Sequence, residues 1–189
     1  NDIRFIFFCR AVLHSLELLN FAPDILHAHD WQAALAPVLL KAEPREFFAA
    51  TRSLLTIHNM GYHGLFPPES AAYLNLPESL FESMGALEFW GKVNFLKGGL
   101  HFADMLTTVS ETYAKEIQTT DDFGCGLEGV LRNNRDKLHG VVNGVDYEIW
   151  SPESDALIAH NYSLETVAEK SLNKRQLLKQ AGFSDLDLK

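Results

Sequence analysis

The sequence predicts an α/β fold in which a parallel sheet carries helices on both faces. Four short apolar runs with strand character alternate along the chain with segments of helical periodicity. This alternation favours parallel pairing, because each helix returns the chain to the edge of the sheet at which the previous strand began. The length of 189 residues suits one ordinary domain, or one domain with part of a second.

The first elements are expected to be a helix, a strand and a second helix. Apolar residues recur at helical spacing over 4–19. The inner side of this helix is predicted to hold Phe5, Phe8, Val12, Leu16 and Leu19. Residues 25–29 predict a buried strand. A helix over 31–41 should follow it, with Asp30 as the N-cap and Pro37 weakening its middle.

The middle of the chain is expected to place two strands on either side of a mainly helical stretch. Residues 53–58 predict the second strand, and turn residues follow it over 59–68. Apolar periodicity predicts mostly helix over 69–103. Residues 105–109 predict the third strand, and Ser110 is expected to cap a helix that runs to about residue 118.

The last part of the chain predicts a domain boundary. A polar loop, a short helix over 127–133 and a fourth strand over 138–142 complete the first domain, which we place at 1–150. Residues 151–189 then begin with a linker and continue with one helix over 164–181. No further strand follows that helix in the sequence. We therefore expect 151–189 to be the linker and first helix of a second domain, and the chain to be a fragment of a longer protein.

Charge and composition argue against several classes of function. Sixteen Lys and Arg residues against 25 Asp and Glu give a formal net charge of −9, whereas a protein that grips nucleic-acid phosphates needs a positive face. No apolar run approaches the roughly 18–20 residues of a membrane span. Two cysteines, Cys9 and Cys125, are too few for a disulfide scaffold or a four-cysteine zinc site. Neither nucleic acid nor a membrane is expected as a partner.

Polar side chains follow the predicted strands, where an open α/β sheet binds its ligands. They are His29, Asp30, His58, Asn59, Thr108, Ser110 and Asn143. A hydroxylated ligand could meet all of them at one edge of the sheet. The alternative is structural: Asp30 and Ser110 cap helices, and Asn143 makes a turn. His27, His29 and His58 lack the spacing of a zinc-binding helix, so no metal is expected.

Two glycine-rich segments suggest phosphate binding but lack its context. Residues 124–129 (GCGLEG) match G-x-G-x-x-G, yet they follow a polar loop, and the dinucleotide motif must follow a strand directly. Residues 97–100 (KGGL) continue a helical pattern and lack the ending of a P-loop. Close packing of the backbone is the better explanation of these glycines.

Taken in order, seven segments resemble the bacterial glycogen synthase and plant starch synthase family. They are 27–32 (HAHDWQ), 56–62 (TIHNMGY), 94–100 (NFLKGGL), 107–114 (TTVSETYA), 126–131 (GLEGVL), 142–146 (VNGVD) and 149–152 (IWSP). The resemblance covers essentially the whole chain. It implies part of the N-terminal, Rossmann-like domain of a two-domain GT-B glycosyltransferase. Members of this family transfer glucose from a nucleotide sugar, usually ADP-glucose, to the non-reducing end of an α-1,4-glucan, with retention of the anomeric configuration; the sequence leaves the choice between ADP-glucose and UDP-glucose open.

The resemblance also implies roles for individual residues. Asp30 and His58 match positions that contact the transferred glucose and are expected to be catalytic. The His58 side chain can donate to a sugar oxygen, and its carbonyl can face positive charge at the anomeric carbon. Asn143, Asn59 and Tyr62 are expected to bind substrate. His63 stands where the family commonly has Gln, which puts an acceptor contact there in doubt.

The resemblance further implies what the chain lacks. The family's phosphate-binding loop and its C-terminal Arg, Lys and Glu have no match here, so the chain alone is expected to be inactive. ADP-glucose would be a substrate, and no cofactor is expected. Self-association through the 164–181 helix and a bacterial cytoplasmic location (plastid if plant) are further expectations. The alternatives are another GT-B enzyme of the sucrose or trehalose synthase type, and a non-catalytic glucan-binding module.

Overall fold

The computed structural model describes residues 1–183, which fall into two compact units, Asn1–Asn143 and a second that begins at Gly144. The strands are β1 (Ile25–His29), β2 (Arg52–Ile57), β3 (Leu65–Phe66), β4 (Glu88–Phe89), β5 (Lys92–Asn94), β6 (Met105–Thr108) and β7 (Leu138–Gly140). The α-helices are α1 (Asp2–Leu18), α2 (Asp30–Ala33), α3 (Leu35–Ala42), α4 (Ala71–Leu74), α5 (Phe95–Phe102), α6 (Glu111–Glu116), α7 (Asp121–Gly124), α8 (Glu128–Asn133) and α9 (Lys170–Gln180). Single 3₁₀ turns lie at Glu46–Phe48, Pro68–Ser70, Glu78–Leu80, Arg135–Lys137 and Val167–Glu169.

A four-stranded parallel sheet organises the first unit. Its order is β1-β2-β6-β7, and all three pairings are parallel, as the alternation of elements predicts. One register row, formed by Ala28, Leu55, Leu106 and Leu138, enters the hydrophobic core with side chains of α5, α6 and α8. The next row holds His29, Thr56, Thr107 and His139 and lies on the opposite face, because side chains alternate along a strand. This second face also carries Leu54 and Met105, so the sheet has one face in the core and one that is mixed and more exposed.

The β1 strand is less buried than predicted. Only Ala28 is fully buried among its five residues. The reason is its place in the sheet: β1 pairs with β2 alone and is an edge strand in the part of the chain described.

The helix predicted over 31–41 is divided in two, and Asp30 does not cap it. The break falls at Ala34, between α2 and α3. Pro37 explains the position, because it lacks the N–H that would bond to the carbonyl of Ala33. Asp30 is itself the first residue of α2 and makes no side-chain capping bond. By contrast, the Ser110 hydroxyl accepts a bond from the Tyr113 N–H at 2.9 Å, so the cap predicted there is confirmed.

The buried face of helix α1 overlaps the predicted one in part, because Phe5 and Leu16 pack against the core as expected. The fully buried residues are Ile6, Cys9 and Leu13, whereas Phe8 and Leu19 are exposed. Arg10, predicted on the polar side, is half-buried and forms a two-pronged ion pair with Glu43 at 2.8 and 3.0 Å. The buried residues of α1 belong to a second hydrophobic core, separate from the one at the sheet. Its other members come mainly from α3 and from the segment that follows β2. Burial raises the pKa of the Cys9 thiol to about 12, as expected for a small core residue.

The stretch 69–103 is mostly not helical, so that prediction is wrong. A small antiparallel sheet of order β3-β5-β4 occupies its centre, and only α4 and α5 are α-helical. The β4–β5 turn consists of Trp90 and Gly91, both with positive φ (51° and 76°). Two residues with positive φ make the turn type that matches the twist of a hairpin.

The second unit contains one regular helix among its described residues. The predicted helix over 164–181 begins later than expected, with a 3₁₀ turn before α9. No residue of α9 is fully buried. Over residues 1–183, no helix is both long and apolar enough to span a bilayer.

Candidate active site

The ends of β1 and β2 bring Asp30 and His58 together. The Asp30 Oδ1 atom accepts a hydrogen bond from the backbone N–H of His58 at 2.7 Å. This bond links the residue that follows β1 to the residue that follows β2. Ligands bind at this end of the strands in open α/β sheets. The carboxylate thus contacts the adjacent strand and does not contact its own helix, so it does not fit the structural alternative of a helix cap.

Asp30 has an unusual backbone. Its φ is +53°, in the left-handed region that residues other than glycine rarely adopt. Such a conformation costs of the order of 1–3 kcal/mol and is concentrated at functional sites. Asp and Asn tolerate it best among the non-glycine residues. Here the conformation turns the chain sharply from β1 into α2 and leaves the carboxylate next to β2.

A cavity of about 260 Å³ opens beside Asp30. Its lining consists of Asp30, Trp31, Gln32, Asn59 and Tyr62. Asn59 Oδ1 accepts from the Gly61 N–H at 2.8 Å, which fixes the loop after β2. The Tyr62 side chain is 65% exposed. Three of the five residues predicted for the site, Asp30, Asn59 and Tyr62, therefore line this cavity, and His58 is held next to Asp30 by its backbone N–H.

Asn143 is not brought into this group. Strand β7 ends at Gly140, and Asn143 is the exposed last residue of the first unit. It makes no hydrogen bond to any residue in 1–183. Its predicted role in substrate binding stays a prediction.

A second cavity of about 490 Å³ adjoins the first, since both are lined by Trp31 and Tyr62. Its other lining residues include His63, Phe66 and Phe89. Aromatic side chains with a few polar groups are typical of sites that bind small molecules. The two cavities together form an extended groove at the carboxyl edge of β1 and β2.

His63 is the buried polar residue of this groove, at 8% exposure. Its Nδ1 lies 3.3 Å from the Asn94 side-chain nitrogen, whereas Nε2 has no hydrogen-bond partner within the described part of the chain. Burial lowers the pKa of His63, and the Met60 carbonyl opposes this shift. With the Asn94 amide nitrogen donating to Nδ1, the proton of the His63 ring lies on Nε2, which is buried behind the wall of the groove.

His27 and His29 share one strand face, a spacing that suggests a metal site, and the sequence also predicts His29 beside a ligand at the strand end; the structure shows a different arrangement of their rings. His29 Nδ1 lies 3.0 Å from His58 Nε2, and the His27 and His29 rings lie 4.2 Å apart. Burial lowers the pKa of His27, with smaller contributions from His29 and His58. No group of three or more His, Cys, Asp or Glu side chains is arranged for a metal among residues 1–183. The feature of the sequence that could have indicated the contact between these two rings is the i, i+2 spacing of His27 and His29, which places both on one face of β1.

Close packing explains the glycines of 97–100, as predicted, but not Gly129 of the second segment, where an added Cβ would meet no atom nearer than 3.9 Å. A Cβ on Gly99 would lie 2.7 Å from a Leu55 methyl group and 2.8 Å from the Ala34 Cβ. The ammonium group of Lys97 is occupied, because it donates to the carbonyls of Gly85 and Glu88. Burial lowers its pKa, while the Glu88 charge opposes the shift. Gly126 has a φ of +82° and lies in the loop between α7 and α8, so it does not follow a strand.

Comparison with known proteins gives one consistent family. Residues 1–133 match the family described as the starch synthase catalytic domain. The chain is 48% identical over 186 residues to "Glycogen synthase" of Thermodesulfovibrio yellowstonii, covering 97% of the chain and 37% of the relative. It is 47% identical over 185 residues to "Glycogen synthase 2" of Geobacter sulfurreducens, covering 97% and 38%. The chain thus spans less than two-fifths of the length of these relatives.

A solved structure agrees with the sequence comparison. The catalytic domain of starch synthase IV from Arabidopsis thaliana, bound to ADP and acarbose, superposes with a TM-score of 0.73 and 32% identity. The match covers 97% of this chain and 38% of that one. The resemblance found in the seven motifs is confirmed, and so is the α/β class with its parallel sheet. The chain belongs to the starch synthase catalytic domain family, that of the glycogen and starch synthases.

Proposed function

We propose that this chain forms the glucose-binding side of a glucosyltransferase that elongates α-1,4-glucans from ADP-glucose with retention. The observation that carries the proposal is the Asp30–His58 contact at the carboxyl edge of the sheet, beside a cavity that suits a sugar ring. The family supports the reaction class, and the ADP and acarbose bound to the Arabidopsis structure support a nucleotide donor and a glucan acceptor.

The proposed roles of Asp30 and His58 follow from those of their polar atoms that remain available to a ligand. Asp30 uses Oδ1 for the His58 N–H, and its Oδ2 makes no hydrogen bond to residues 1–183, so it can accept from sugar hydroxyls. The His58 carbonyl can stabilise positive charge that develops at the anomeric carbon, since fixed dipoles act strongly where water is excluded. Asn59, Tyr62 and Asn143 would orient the sugar. No cofactor enters this scheme, and ADP-glucose is a substrate.

A chimeric enzyme tests this function. The matching segment of the Geobacter sulfurreducens protein would be replaced by this chain, and transfer of labelled glucose from ADP-glucose to glycogen would be measured. We expect transfer of glucose with retention of the anomeric configuration. A folded chimera that transfers nothing would contradict the proposal. Transfer to a free small sugar would favour the sucrose or trehalose synthase type instead.

The 189-residue chain by itself provides the matched control. We expect it to transfer no measurable glucose, because the groups that would neutralise the donor phosphates have no match in it. Loss of a single group that stabilises transition-state charge costs about 2.7–4 kcal/mol, and here several are unmatched. Transfer by the chain alone would show that its own residues bind the phosphates.

Three further statements belong to the same proposal. The division into 1–150 and 151–189 would separate the acceptor-side domain from the start of the nucleotide-binding domain. The bacterial origin of the relatives favours a bacterial cytoplasm over a plastid. Self-association would involve the 164–181 segment.

A further inference from the structure

His29 and His58 form a contact between two neighbouring strand ends that the proposed function does not use. Their ring nitrogens, Nδ1 and Nε2 respectively, lie 3.0 Å apart, and the ring centroids are 5.3 Å apart. This is an ordinary hydrogen-bond distance. The contact involves the ring of His58, whereas Asp30 holds its backbone N–H.

The His29 ring is itself supported from the other side. It packs on the His27 ring at a centroid distance of 4.2 Å. His27 Nε2 is 2.7 Å from the Thr56 hydroxyl, and that hydroxyl is 2.6 Å from the Thr107 hydroxyl. A row of contacts therefore runs across β1, β2 and β6 and ends at His58. Such a row restricts the orientation of each ring in it.

The direction of the hydrogen bond decides which tautomer each ring adopts, because a neutral imidazole has one donor and one acceptor nitrogen. If His29 donates, both rings must carry their proton on Nδ1. If His58 donates, both carry it on Nε2, the form that free histidine favours in water. In the second arrangement, His58 Nδ1 is an acceptor, and no residue in 1–183 hydrogen-bonds to it.

We propose that His29 is a positioning residue, which accepts a hydrogen bond from the Nε2–H of His58 and so fixes the orientation of that ring. Nδ1 of His58 is then left to accept a hydrogen bond from a hydroxyl group of the bound sugar. This reverses the direction expected from the sequence, in which the His58 ring donates to the sugar. The sugar-binding part rests on the proposed function, but the pairing of the two rings does not.

Ring-nitrogen NMR of the whole 189-residue chain tests the pairing. At pH 8, above the ordinary histidine pKa of about 6.5, long-range ¹H–¹⁵N spectra distinguish the two tautomers. We expect His58 and His29 both in the Nε2–H form, with a scalar coupling between the paired nitrogens across the hydrogen bond. A His58 ring with its proton on Nδ1, or with no coupling and rapid exchange with water, would overturn the proposal.

Two variants of His29 separate positioning from general structure. Asn can place its side-chain oxygen near the position of Nδ1, so His29→Asn should keep the Nε2–H form of His58. His29→Leu removes the acceptor and should give a mixture of tautomers. His139→Asn, on the same register row, serves as the control and should change nothing. An unaltered His58 spectrum in His29→Leu would overturn the proposal; if that variant does not fold, the wild-type coupling still decides.

Activity in the chimera then tests the consequence for sugar binding. We expect His29→Leu to lower kcat roughly 10-fold, which corresponds to about 1.4 kcal/mol, the scale of one hydrogen bond. His29→Asn should recover most of that loss. If the chimera transfers no glucose at all, the proposed function fails while the NMR result stands. If transfer is normal in His29→Leu, the positioning role fails while the proposed function stands.

Discussion

At the residue scale, Asp30 combines backbone strain with a contact between two strands. Its positive φ and its bond to the His58 N–H both depend on a short side chain with an acceptor oxygen. The sequence could place Asp30 and His58 at strand ends. It could not show the His29–His58 contact, because that distance depends on the register of β1 against β2, which pairs His29 with Thr56. Register is set by the packing of the other face.

Replacing Asp30 by Asn should separate charge from folding. Asn tolerates the left-handed region and keeps an oxygen for the His58 N–H, so we expect the free energy of unfolding to change by less than about 1 kcal/mol. Glucose transfer in the chimera should fall by at least about 100-fold, because a neutral amide accepts hydrogen bonds from sugar hydroxyls more weakly than a carboxylate does and its NH₂ cannot accept at all. Urea denaturation and initial rates measure the two effects. If the free energy of unfolding and the transfer rate fell together, the role of Asp30 would be structural.

His63 should make folding stability depend on pH. Burial lowers its pKa below the ordinary value of 6.5, so the unfolded chain takes up a proton before the folded chain does. Stability is therefore fully present above about pH 6.5 and decreases as pH falls from there towards the lower pKa of the folded state. His27 and His101 also have pKa values lowered by burial and contribute in the same direction.

The variant His63→Gln tests this effect, since Gln is uncharged at every pH and keeps a side chain that can hydrogen-bond. We expect the loss of stability between pH 7.5 and 5.5, measured by urea denaturation, to be smaller than in the wild type. It should not vanish, because His27 and His101 remain. An unchanged pH dependence would show that His63 keeps its ordinary pKa in the folded chain.

At the element scale, the apolar runs of the sequence predicted the parallel strands. The sequence predicted the buried face of α1 only in part and did not predict the β4–β5 hairpin. Helix α1 is apolar on most sides, so periodicity could not decide which face is buried. The β4–β5 hairpin lies within a stretch of helical periodicity, and its Trp90–Gly91 turn lacks the usual Asn-Gly or Asp-Gly signal. Tertiary packing decided the structure in both cases.

Two helical glycines provide a matched test of packing. In Gly99→Ala, the new methyl group would meet Leu55 and Ala34 at 2.7 and 2.8 Å, and we expect destabilisation by about 1–3 kcal/mol. In Gly129→Ala, the nearest atom is an Arg132 nitrogen at 3.9 Å, so the higher helix propensity of alanine should stabilise by up to about 1 kcal/mol. Thermal and urea denaturation measure both. Equal effects would contradict close packing of α5 on the sheet.

At the scale of the whole molecule, the two units differ in how they bury apolar surface. The first unit has two hydrophobic cores, one at the sheet and one around α1 and α3. In the second unit, α9 has no fully buried residue, and Leu164 and Leu177 are 90% and 66% exposed. An amphipathic pattern predicts that a helix is covered, but it does not say by what. The sequence therefore predicted the helix better than its environment.

Hydrogen exchange should reveal this difference directly. An isolated helix of this length is marginal in water, because most helical stability comes from tertiary packing. We expect amides over 164–181 to exchange at nearly the rate of an unfolded chain in dilute solution, while those of β2 and α5 exchange slowly. Protection over 164–181 that grows with protein concentration would show self-association through this segment. Slow exchange that is independent of concentration in a monomer would show that the chain holds the helix by its own contacts, and it would contradict the domain boundary near residue 150.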